Sequence, residues 1–154
     1  MAFHIVLVEP EIPANTGNIA RTCAATGAHL HLVRPLGFQT DDKTLKRAGL
    51  DYWHAVHVEY HDSFQELQEQ YADGRYFYAS TRAVKAYNEF QYQDGDFFVF
   101  GKETKGLPQE LIEANLSTCI RMPMTDKVRS LNLSNSAAIV VYEALRQNDF
   151  PGLS

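Results

Sequence analysis

Three apolar runs set the frame of this chain. His4 to Val8 (HIVLV) is near-continuous, the pattern of a strand buried on both faces of a parallel sheet. His29 to Val33 (HLHLV) and Phe97 to Phe100 (FFVF) read as strands too, as do the aromatic segment Arg75 to Ser80 and the segment Thr118 to Met122. Trp53 to Val58 carries a weaker strand signal. Helical patterns fall between them. The prolines of Glu9-Pro10-Glu11-Ile12-Pro13-Ala14 exclude a helix across that loop. Asn15-Thr16-Gly17 then offers capping residues for a helix from Asn18 to about Thr26, closed by Gly27. A short basic helix, Lys43 to Ala48, is expected after a cap at Asp41 or Asp42, with Gly49 as its stop. Ser63 to Tyr71 is amphipathic, capped by Asp62 or Ser63, with Glu66 at the capping-box position. Gln109 to Ala114 is a short helix, and Ser134 to about Arg146 an apolar one capped by Ser134 or Asn135. Strands alternating with helices predict an α/β fold with a mainly parallel sheet and right-handed crossovers.

Composition adds bounds rather than a function. The chain has 154 residues, 45% hydrophobic and 21% charged, as expected for one globular domain spanning 1–154. No apolar run approaches the ~18 residues of a membrane span, and the N-terminus lacks the regions of a signal peptide. A cytoplasmic protein with Cys23 and Cys119 as reduced thiols is expected. The net charge of −5 argues mildly against a dedicated nucleic-acid binder. Yet Arg34, Lys43, Lys46, Arg47, Arg82, Lys85, Lys102, Lys105, Lys127 and Arg129 fall mostly in or beside loops, where they can group.

Candidate chemistry gathers in three segments. Gly101-Lys102-Glu103-Thr104-Lys105-Gly106-Leu107-Pro108 follows a strand, and its two glycines permit close backbone approach to a ligand. It is neither a P-loop nor a GxGxxG turn, and a plain strand-to-helix turn explains it equally well. Arg129-Ser130-Leu131-Asn132-Leu133-Ser134-Asn135-Ser136 alternates polar and apolar residues ahead of a helix, with more polar side chains than capping needs. Glu9 to Arg21 carries Asn15, Thr16, Asn18 and Arg21. Asn18 and Arg21 lie three apart, so one ligand can face both. Among the histidines, His54 and His57 are three apart and His57 and His61 four apart, but in a strand-and-turn region with no partner at ligand spacing. No metal site is expected. No serine elbow, Cys–His pair or carboxylate pair points to hydrolysis.

Taken in order, Pro10 to Arg21, Phe100 to Pro108, and Ile120 to Met124 with Arg129 to Asn135 closely resemble the three motifs of the SPOUT-class RNA ribose 2′-O-methyltransferases. The similarity is greatest to the small single-domain subgroup acting on the wobble nucleotide of leucine tRNAs. The resemblance covers essentially the whole chain. It implies a C-terminal deep trefoil knot, S-adenosylmethionine bound in that knot, and a homodimer formed through the last helix. It further implies cofactor contacts from Ala79, Ser80, Gly101, Glu103, Gly106, Met122, Ser130, Leu131 and Asn135. Arg21 and Tyr142 would be catalytic, and Asn15, Asn18, Arg21, Lys105 and Arg129 would meet tRNA. The reaction implied is methyl transfer to the ribose 2′-OH of cytidine or a modified uridine in the anticodon loop, with no metal and no membrane. The alternatives are a non-catalytic knotted RNA- or nucleotide-binding module and an ordinary doubly wound nucleotide-binding protein. The latter would need a Gly-rich turn where Glu9-Pro10-Glu11-Ile12-Pro13 stands.

Overall fold

A computed structural model describes residues 1–39 and 43–154; the side chains of residues 46 and 48–51 are outside that description, as are Asp41 and Asp42, the expected helix cap. Six strands form one parallel sheet: β1 (His4–Val8), β2 (His29–Val33), β3 (Val58–His61), β4 (Tyr76–Ala79), β5 (Phe97–Phe100) and β6 (Cys119–Ile120). Their order is β3-β2-β1-β5-β4-β6. Among the described residues the α-helices are α1 (Pro13–Thr26), α2 (Lys43–Gly49), α3 (Phe64–Gln70), α4 (Gln109–Ala114) and α5 (Leu133–Gln147).

Helices cover both faces. Ile5 and Leu7 of β1, Leu30 and Leu32 of β2 and Phe98 of β5 pack under Ile19, Ala20 and Cys23 of α1 and Val140, Val141 and Ala144 of α5. On the opposite face Val6, Val33, Tyr78 and Val99 meet Leu67 of α3 and Ile112 of α4. Burial on both faces is why the central strands read as unbroken apolar runs. Among the described residues, no helix is long and apolar enough to cross a membrane.

Several boundaries differ from the sequence expectation. Helix α1 begins at Pro13, so Asn15, Thr16 and Gly17 lie inside its first turns and do not cap it. Proline suits a first helical position, because that N–H has no intrahelical partner. Trp53 belongs to a 3-10 segment, Leu50–Ala55, and the strand starts at Val58. As an edge strand β3 is only partly buried, so its apolar signal is weak. The Ser63 hydroxyl caps α3 by accepting from Glu66 N–H (3.1 Å), while Glu66 reaches back to Asp62 N–H. Helix α5 is capped by Asn132 instead of Ser134 or Asn135. Strand β6 has two residues. Beyond it, Arg121 N–H donates to Lys85 O and its carbonyl accepts from Tyr87 N–H, tying the segment after β6 to the segment after β4.

Candidate active site

The loops after β1 and β5, adjacent strands, are joined through two carboxylates. Glu103 Oε1 accepts from Glu11 N–H (2.9 Å), and Oε2 accepts from Ile12 N–H (2.9 Å) and Asn15 Nδ2 (3.1 Å). In return Glu11 Oε1 accepts from the Thr104 N–H (3.0 Å) and hydroxyl (2.8 Å), bonds that hold its carboxyl below the ordinary value. Ile12, the N-cap of α1, has no side-chain cap bond, and no acidic residue lies in the first turn. Glu103 therefore supplies from another loop the negative charge that the helix start favours. Asn15 passes the connection on: its Oδ1 accepts from Asn132 Nδ2 (3.1 Å), and Asn132 Oδ1 accepts from the Ser134 hydroxyl (2.6 Å) and Asn135 N–H (3.2 Å). All three sequence segments meet in this network.

The residues expected to hold a cofactor fall into two groups. Ala79 ends β4 and Ser80 follows it, Gly101 follows β5 and Met122 lies beyond β6, three neighbouring strands whose carboxyl ends share one edge. At Gly101 an added Cβ would sit 2.0 Å from Gly106 C and 2.2 Å from Leu107 N, so the loop closes onto itself only because that Cβ is missing. Gly106, at φ +69, donates to Lys102 O (2.8 Å) and completes the ring. Ser130 and Leu131 are exposed on the loop leading to α5. Glu103 and Asn135 stand apart: the carboxylate of Glu103 is engaged by Glu11, Ile12 and Asn15 at the start of α1, and Asn135 lines a cavity between α1 and α5.

That cavity, about 370 Å³, opens between α1 and α5 and is lined by Asn18, Arg21, Thr22, Ser134, Asn135 and Tyr142 among others. Asn18 and Arg21 do share a face, as their spacing predicts. Tyr142 is 44% exposed beside them, and the Arg21 guanidinium lies 5.0 Å from the centre of the Tyr52 ring. Lys105 and Arg129 are exposed on their loops, outside this cavity's lining. A larger cavity, about 550 Å³, lies between Val8, Val33, α3 and α4 under a rim of Glu9, Arg34, Asp62 and Glu110, and holds none of the residues expected to be catalytic or to meet cofactor or tRNA. Sequence reasoning missed Asn132, Glu11 and Tyr52. The unexplained polar surplus around Asn132 was a usable signal, whereas nothing local marks Tyr52.

A parallel α/β sheet with small-residue loops at its carboxyl edge, beside a cavity lined by Asn18, Arg21 and Tyr142, is an α/β fold with its candidate site where such sheets bind ligands. The SpoU rRNA methylase family matches residues 2–142, and the chain belongs to that family. A Bacillus subtilis (strain 168) protein provisionally named a tRNA (cytidine(34)-2′-O)-methyltransferase is 61% identical, covering 99% of this chain and 98% of the relative. The Escherichia coli (strain K12) tRNA (cytidine(34)-2′-O)-methyltransferase is 48% identical, over 97% of this chain and 96% of its own. A solved structure described by the 2-OH methylation of C/U34 on tRNA superposes with a TM-score of 0.91 at 45% identity, covering 96% of this chain and 97% of that one.

Proposed function

We propose that this chain methylates the ribose 2′-OH of nucleotide 34, cytidine or a modified uridine, in the anticodon loop of tRNA, with leucine tRNAs as substrates and S-adenosylmethionine as donor. The end-to-end similarity to relatives named for this reaction, 97–99% of the chain, carries the reading. The chain path is compatible with a trefoil knot, since the segment after β6 is bonded to the segment after β4 before α5 returns to pack beside α1.

The residues at the carboxyl edge of β4, β5 and β6 fit the donor. Ala79, Ser80, Gly101, Gly106, Met122, Ser130 and Leu131 offer small or apolar side chains and main-chain groups, which suit an adenine and a ribose read by backbone. Bound there, S-adenosylmethionine supplies an electrophilic methyl on a sulfonium. The protein's own task is alignment and charge. The 2′-hydroxyl releases its proton to solvent water as its oxygen attacks the methyl carbon, and a fixed cation beside it stabilises the oxyanion character that deprotonation creates. Arg21 is that cation: a guanidinium stays protonated and is a poor base, but it can grip a phosphate and face the developing oxyanion. Asn18, Asn135 and Tyr142 share its cavity and orient the nucleotide. Glu103 is a positioning residue, holding α1, and so Arg21, against the loop after β5. Arg21 and Tyr142 are open to solvent on α1 and α5, so a second copy docking through α5 would complete the cavity. Exposed Lys43, Arg47, Lys105 and Arg129 give the tRNA its cationic surface; Arg82 is already shared with Glu113 (3.6 Å).

The test is transfer from labelled S-adenosylmethionine to tRNA lacking the modification, followed by digestion to nucleosides. Label in 2′-O-methylcytidine or 2′-O-methyluridine from the anticodon loop is expected. Label on a base overturns the chemistry, and donor binding without transfer favours the non-catalytic module. Arg21→Lys keeps the charge and loses the fork; turnover within twofold of the parent counts against the bidentate role.

A further inference from the structure

The face of the sheet under α3 carries a ladder of imidazoles unrelated to methyl transfer. In the β2–β3 register His31 lies opposite Glu59, and Val33 opposite His61, so His31, Glu59 and His61 emerge on one face. Each presents one donor atom, and the three lie within 4.8 Å of one another. His31 is fully buried and His61 is 5% exposed. The geometry points to a binding site for one divalent transition ion of the zinc class, held by His31, Glu59 and His61 at the β2–β3 edge of the sheet.

Two imidazoles and a carboxylate form a common zinc donor set, leaving a fourth position for water. Two of the three donors, His31 and Glu59, are also oriented from behind, as ligands of bound ions commonly are. His31 Nε2 bonds His4 Nδ1 (2.8 Å), leaving Nδ1 to face His61 Nε2 at 2.9 Å. Glu59 is held by the Tyr71 hydroxyl, by His57 Nε2 (2.9 Å) and by Gln70 Nε2 (3.1 Å). Nitrogens bound to one tetrahedral zinc stand about 3.3 Å apart, so the His31–His61 pair need spread only about 0.4 Å. Without the ion, one proton lies between these nitrogens. With it, each ring carries its proton on the other nitrogen, His31 donating to His4, and no proton leaves either imidazole.

The protonation states suit a ligand role. Burial, with His4 beside it, holds His31 at about 3, and burial also lowers His61, so both are neutral near pH 7. Burial opposes ionisation of Glu59, but the Tyr71 and His57 hydrogen bonds outweigh it and bring the carboxyl to about 2. The location gives the ion an effect and a route. Strand β3 has a sheet neighbour on one side only, so a link from His61 and Glu59 to His31 adds a tie to the edge strand. Glu59 is partly exposed and opens the site from that edge.

The competing state is the same side chains as a metal-free hydrogen-bonded chain, because their polar atoms already have partners. Cobalt(II) titration of the full chain after chelator treatment decides between them. One equivalent of Co²⁺ should give the strong visible d–d absorption of a four-coordinate ion, bleached by one equivalent of Zn²⁺, and Zn²⁺ should raise the melting temperature by linkage. Glu59→Gln and His61→Gln should each weaken Co²⁺ binding at least about tenfold. Glu59→Gln keeps the partly exposed position polar and serves if His61→Gln does not fold. No visible band in the parent chain, or a band unchanged in the folded Glu59→Gln variant, overturns the site.

Discussion

Replacing Glu103 tests whether the loop after β5 organises the start of α1. The carboxylate accepts two main-chain N–H groups and the Asn15 amide, at 2.9, 2.9 and 3.1 Å. A bond to a charged acceptor contributes about 1.5–3 kcal/mol when buried. Here the side chain is half-buried and water can replace part of the interaction, so about 1 kcal/mol per bond is the better scale. Loss of negative charge at a helix N-terminus adds about 0.3–1 kcal/mol. Glu103→Ala should therefore cost about 3–4 kcal/mol. Glu103→Gln keeps one carbonyl acceptor without the charge and should cost about half as much. In a chain of this size each kcal/mol moves the melting temperature about 2–4 °C, so the alanine variant should melt roughly 5–15 °C lower. Urea unfolding supplies the free energies, and donor and tRNA titrations at a temperature where both variants are folded supply the affinities. A cost below about 0.5 kcal/mol for Glu103→Ala would refute the tie. So would an unchanged melting temperature with loss of donor binding alone, which would make Glu103 a cofactor ligand.

Gly101→Ala places a methyl 2.0 Å from Gly106 C, all backbone, and should cost about 3 kcal/mol or more with loss of donor binding. Gly106→Ala meets nothing within 4 Å and suffers only its positive φ, about 1 kcal/mol, so the reverse ranking in urea would refute the closed-loop reading. Glu143 is held below its ordinary 4.5 first by the hydrogen bond from Arg146 and then by Gln147, against burial. Its folded value lies below its unfolded one, so its stabilisation is fully present above pH 4.5 and fades as pH falls below that. Unfolding curves at pH 7 and pH 3.5 should show Glu143→Gln less stable at the higher pH and closer to the parent at the lower. Burial pushes the Cys23 thiol up to about 12 and raises Cys119 as well. At pH 8 a thiol reagent should find neither in the native chain and both in denaturant, and rapid native labelling of Cys23 would show that α1 opens.

Strands β1, β2 and β5 were legible because burial on both faces leaves a local apolar signature, and Gly27 marked the end of α1 because only a left-handed residue fits there, at φ 80. Of the three candidate segments, Arg129 to Ser136 was legible because it held more polar side chains than its turn required, and the other two stood out only through the resemblance carried by all three in order. Interactions between distant residues left no such trace. The start of α1 is held at Ile12 by a carboxylate 91 residues further along, at Glu103, and the Asn15–Asn132 bond spans 117 residues. The grouping of His31 with Glu59 and His61 depends on which strand lies beside β2 and in what register, so spacing along the chain, which sets only His54, His57 and His61 near one another, gave no reason to expect a metal site. Local pattern follows burial and backbone conformation, which each residue's own neighbours impose. Caps, cavities and donor sets are made by strand order and register, which exist only once the sheet has closed.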